Sequence, residues 1–136
     1  MHAQEYARRY ATAEVNVADR GHLLLLVFEG GTKFLRLTRD ALAAGDVGRF
    51  AENLGRSQAI ISELLATLDH EVGGAIAADL ARLYEFMLFH LTEANVRKSV
   101  KHVEQVMAIF ATVAGAYRDV IEPRVQPATA SAAATS

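Results

Sequence analysis

The stretch Leu23-Leu24-Leu25-Leu26-Val27-Phe28-Glu29-Gly30-Gly31-Thr32-Lys33-Phe34-Leu35-Arg36-Leu37 decides the fold. Its residues recur at steps of four and three through Leu23, Val27, Gly30, Phe34, Leu37 and Ala41, and Leu24, Phe28, Gly31, Leu35 and Leu42 form a second stripe beside the first. That period is helical. Asp19 supplies an N-terminal cap and Gly45 a C-terminal stop.

The same pattern extends along the chain. Asp46 caps a second helix carrying Val47, Phe50, Leu54, Ile61, Leu64 and Leu68, which Leu68-Asp69-His70-Glu71-Val72-Gly73-Gly74 ends as a turn. A third helix carries Ile76, Leu80, Leu83, Met87, Leu91 and Ala94. Ser99 caps a fourth with Val100, Val103, Met107, Phe110, Ala114, Tyr117 and Ile121. Pro123 and Pro127 are the only prolines, so no such breaker interrupts the first 122 residues. Short connections force successive helices to run antiparallel, which predicts an all-α, up-down four-helix bundle over residues 19–122. Residues 1–18 form a short arm with Tyr6, Tyr10, Val15 and Val17, too brief for a stable isolated helix, so it docks or stays loose. Residues 123–136 have almost no large apolar side chain and are expected to form a mobile tail.

Composition narrows the function. The 136 residues are 51% hydrophobic with a formal net charge of −2, which gives no electrostatic drive toward nucleic acid or anionic membrane. There is no cysteine, which removes disulfides and thiol chemistry and fits a reducing compartment. The first ten residues carry Glu5, Arg8 and Arg9 and do not read as a secretory signal. No uncharged run reaches the roughly 18 residues of a membrane span, so the expected location is the cytoplasm.

Catalytic patterns are missing. A di-iron bundle needs paired Glu-x-x-His motifs, and none of the five histidines has a glutamate three residues before it; no metal or cofactor is expected. His90, near the third helix's core stripe, reads as a structural histidine. His102 lies beside Lys98 and Lys101, as a phosphotransfer histidine would, but lacks the His-x-x-Lys-Gly signature. No nucleophile elbow or phosphate-binding loop occurs, so no catalytic residue is assigned. Gly30-Gly31 costs roughly 1 kcal/mol per glycine inside a helix, which suggests close approach of another helix or peptide.

Apolar surface remains. The fourth helix has Val106, Ile109, Val113 and Val120 displaced round from its core stripe; the third has Phe86, Phe89 and Val96, the second Ile60 and the first Leu26. With Tyr6, Tyr10 and Val17 of the arm, these are the candidate partner-binding residues. Apolar surface of this kind fits a groove for an amphipathic helix, or else a homodimer seam.

The order of residues resembles the flagellin export chaperone family, FliS, over roughly residues 6–121. The resemblance is carried by Phe28, Gly30, Phe34 and Leu35 in the first helix. The string Leu68-Asp69-His70-Glu71-Val72-Gly73-Gly74 follows the family's spacing, with Leu83, Tyr84, Leu91, Ala94 and Asn95 after it. The chain departs from the family's usual pattern at Val17-Ala18-Asp19-Arg20, at Ser99 and at Tyr117. The resemblance implies a chaperone that binds the C-terminal helical segment of flagellin, prevents premature polymerisation, and delivers the subunit to a component of the flagellar type III export gate. It also implies that the arm covers part of that site in the free state. A bundle serving another secretion client is the competing reading.

Overall fold

The computed structural model describes residues 2–14 and 18–125, and every regular element among them is an α-helix. These are α1 (Ala3–Glu14), α2 (Ala18–Ala43), α3 (Val47–Ala66), α4 (His70–Arg97) and α5 (Val100–Val125). The arm therefore contributes a fifth helix to the four expected long ones. The C-terminal tail lies outside the described residues beyond 125, as do Val15 and Val17.

Local chemistry sets the boundaries. α2 stops at Gly45, whose φ of +73° lets its N–H reach the Leu42 carbonyl at 3.1 Å while the Asp46 N–H reaches that of Ala41 at 2.9 Å. This double closure satisfies carbonyls that the last turn leaves open. Asp46 Oδ1 then accepts from the Arg49 N–H at 3.2 Å, and Ser99 Oγ accepts from the His102 N–H at 3.2 Å to start α5. Lys98 closes α4 at φ +50°, a conformation that costs a non-glycine residue about 1 kcal/mol. Its ammonium donates to Asn95 Oδ1 at 2.7 Å and lies 5.1 Å from the Phe50 ring centre.

The turn expected over residues 68–74 is shorter than that. Asp69 Oδ1 accepts from the Glu71 and Val72 N–H groups at 3.0 and 3.1 Å, so α4 begins at His70. The glycine signal has a different meaning: Gly74, at φ +51° and ψ −126°, kinks α4 just after its first turn. Asp69 serves both turns and caps, and its side chain here acts as a cap.

In the packing order, α2 lies on α3 and α5, α3 on α4, and α4 on α5, while α1 lies on α4 and α5. The core contains Phe28 and Leu35 of α2, Phe50 and Ile61 of α3, Leu80, Met87 and Leu91 of α4, and Val103, Phe110 and Ile121 of α5. Burying each such side chain contributes about 1.5–3 kcal/mol before entropy is charged. Phe28 lies 5.5 Å from Phe110 and 4.7 Å from Tyr117, and Tyr117 lies 6.5 Å from Tyr10, so one aromatic chain links α2, α5 and α1. The close approach suggested by Gly30-Gly31 is internal: a Cβ at Gly31 would stand 2.8 Å from Phe110 Cε2 and 3.2 Å from Ile60 Cγ2.

Candidate functional site

α4 buries Leu80, Met87, Leu91 and Ala94 and leaves large apolar residues on its other side. Phe86 is 43% exposed, Phe89 64% and Val96 73%. Steps of three and seven keep them on one face. That face continues onto α5 through a row of rings: Phe86 stacks on His90 at 5.1 Å, and His90 on His102 at 4.5 Å. His90 Nε2 bonds to Gln105 Oε1 at 2.6 Å, and His102 Nδ1 to Ser99 Oγ at 2.7 Å. Both imidazoles are thus engaged in joining α4 to α5. Among the described residues no three His, Cys, Asp or Glu side chains cluster as metal ligands.

A second apolar surface lies along α2, where Leu23 is 63% and Leu26 48% exposed. Leu37 is exposed as well, and the half-buried Phe34 ring sits beneath Lys33 and Arg56 at 5.8 and 5.4 Å. Ile60 of α3 is half-buried beside Gly30, packed against the core.

Three expected surface residues are not on the surface: Tyr10, Val106 and Val113 are fully buried. Ile109 and Val120 are half-buried against the same core, and Tyr6 is half-buried with its ring 5.9 Å from that of His2. The excess apolar arc of α5 arises because α5 packs on α1, α2 and α4 together, three neighbours rather than the two of a plain bundle. α1 supplies the third with a stripe of Ala3, Ala7, Tyr10 and Ala11, all buried.

Tyr10 also explains much of the Leu68–Gly74 string. Its hydroxyl accepts from the Asp69 N–H at 2.8 Å. A Cβ at Gly73 would stand 2.8 Å from Tyr10 Cδ2, so glycine there makes room for the ring. The α1 spacing of four, three and one carried the signal of a docking face; the Tyr10–Asp69 contact itself has no local signature. Of the other motif residues, Phe28, Leu35, Leu83, Tyr84, Leu91 and Ala94 are core, and Asn95 holds Lys98.

An arrangement of this kind has hydrophobic area to offer a partner. Among the described residues no helix is long and apolar enough to cross a membrane. The family model of the flagellar protein FliS matches residues 2–124. The chain is 33% identical to the flagellar secretion chaperone FliS of Salmonella typhimurium, covering 85% of this chain and 86% of that protein. It is 30% identical to that of Bacillus subtilis, over 83% of this chain and 84% of the relative. For flagellar secretion chaperone FliSB of Pseudomonas aeruginosa the figures are 31%, 81% and 87%.

Proposed function

The chain belongs to the FliS family of flagellar secretion chaperones, which are not enzymes, and we propose that its client is the C-terminal helical segment of flagellin. The chaperone holds that segment in the cytoplasm, prevents premature polymerisation, and delivers the subunit to the flagellar type III export apparatus. The observation that carries this reading is the exposed face of Phe86, Phe89 and Val96 on a helix whose opposite face is fully in the core. Leu23 and Leu26 offer a second contact on α2. Two separated apolar strips suit a segment that wraps as amphipathic helices.

In this reading α2–α5 form an antiparallel up-down bundle. Support comes from the closed cycle of packing pairs and from connections only a few residues long. α1 is a displaceable cover over the apolar surface of α4 and α5 that it buries, beside strips that stay exposed while it is docked. Three of its four buried residues are alanines, which contribute little burial energy each, so Tyr10 is the main anchor. A cover closed about 90% of the time lowers apparent client affinity roughly tenfold.

Calorimetric titration with a flagellin C-terminal peptide tests the client assignment. Coupled folding should bury on the order of 1,000–3,000 Å² and give a clearly negative heat-capacity change. Sedimentation of the free chain tests the competing homodimer seam: a dimer whose dissociation precedes peptide binding would assign the α4 face to self-association. No heat with this peptide, alongside binding of another secretion substrate, would replace flagellin as the client.

A further inference from the structure

α1 rests on α4 and α5, and α2 rests on α3 and α5, and among the described residues α1 and α2 do not pair in this way. The gap between them above α5 is a solvent-open pocket of about 200 Å³. Tyr10 and Ala11 of α1 form one wall, Leu24 and Val27 of α2 the other, and Tyr117 of α5 and Leu64 of α3 line it as well. Exposed Leu23 and Arg20 also line it.

We propose that this pocket is a binding site for a small neutral aromatic or branched aliphatic molecule, and that its occupancy fixes α1 in the docked position. Enclosed apolar cavities of about 150 Å³ hold benzene, and this pocket, larger and open to solvent beside Leu23 and Arg20, has room for a ligand of toluene or indole size. The lining is mostly hydrocarbon and aromatic ring, which favours transfer of such a molecule from water and disfavours burial of a charged one. The ligand would touch both α1 and α2 and so bridge them. Because it binds only while Tyr10 and Ala11 form the wall, binding must shift α1 toward the docked state. Site and shift do not depend on the client assignment. Only the consequence does: if α1 covers the client surface, a pocket ligand weakens client binding.

The test is a titration of the full chain with toluene and, separately, indole, followed by methyl NMR and amide hydrogen exchange. Expected are saturable shifts at Leu23, Leu24, Val27 and Leu64, and exchange at the α1 amides slowed at least threefold at saturation. Val27→Phe and Leu24→Phe should each fill the pocket, weaken probe binding at least tenfold, and slow α1 exchange without probe. Either variant suffices if the other melts markedly lower. Absence of saturable shifts, undiminished binding by a filled and folded variant, or binding that leaves α1 exchange unchanged would each overturn the proposal. Peptide binding to the wild-type chain in the absence of probe reports separately on the client reading.

Discussion

Alanine at two adjacent glycines of α2 should have opposite effects on stability. In Gly31→Ala the new methyl stands 2.8 Å from Phe110 Cε2, closer still to Cζ, and 3.2 Å from Ile60 Cγ2. Phe110 is fully buried and backed by Phe28 at 5.5 Å, so its ring cannot swing away freely. Overpacking a core in this way costs about 1–3 kcal/mol, and the rigid neighbour puts the cost near the top of that range. Against it, alanine gains up to about 1 kcal/mol of helix propensity. The net is a loss of about 1–2 kcal/mol, a fall in Tm of roughly 4–8 °C for a chain of this size. In Gly30→Ala the nearest atom is Ile60 Cδ1 at 3.6 Å, an ordinary contact, so the propensity gain remains and Tm should rise by about 2–4 °C. Thermal unfolding followed by circular dichroism measures both. Phe110→Leu should restore part of the Gly31→Ala loss in a double-mutant cycle. A Gly31→Ala protein that melts higher than wild type would show that the ring and the backbone do not meet as described.

Tyr10→Phe should cost about 1–2 kcal/mol by removing the acceptor of the Asp69 N–H, and Tyr10→Ala about 3–5 kcal/mol. In the alanine variant, α1 amides should exchange at unprotected rates while α2–α5 stay helical; retained α1 protection would refute the anchor role. Phe89→Glu should weaken flagellin-peptide binding at least tenfold with melting near wild type, since the side chain is 64% exposed. Ile109→Glu should instead destabilise the fold, because that residue packs on the core; unchanged melting would show that this assignment is wrong. At position 98, where φ is +50°, the glycine variant should be more stable than the alanine variant by about 1 kcal/mol, read from urea midpoints; equal midpoints would mean the left-handed turn carries no strain.

Periodicity was enough to locate the long helices, because each has a core stripe repeating at a helical interval, and Asp46, Gly45 and Ser99 act through local chemistry that a sequence displays. The sequence also marked Phe86, Phe89 and Val96, whose steps leave the core stripe of α4 by a wide angle. It misled at α5. An apolar arc too wide for one core can face solvent or a third helix, and Val106 and Val113 look the same in either case. What decides between them is the docking of α1, which depends on Tyr10 reaching a turn 59 residues away. No window of local periodicity spans that distance. Gly74 was hidden for a related reason: a glycine that ends a turn and one that kinks a helix differ in backbone angle alone.

The partners of α1 have a consequence for how the chain comes into being. A ribosome releases residues from the N-terminus at about 5–20 per second, so α1 leaves the exit tunnel first. Its landing surface, α4 and α5, is made last. The α2–α3 pair closes over a short loop and is ready early, whereas α1 has no stable form alone at 12 residues and must wait for the C-terminal helix. Docking of α1 on its full surface therefore follows the making of α5. A chain terminated before α5 is finished lacks part of the surface on which its first helix docks.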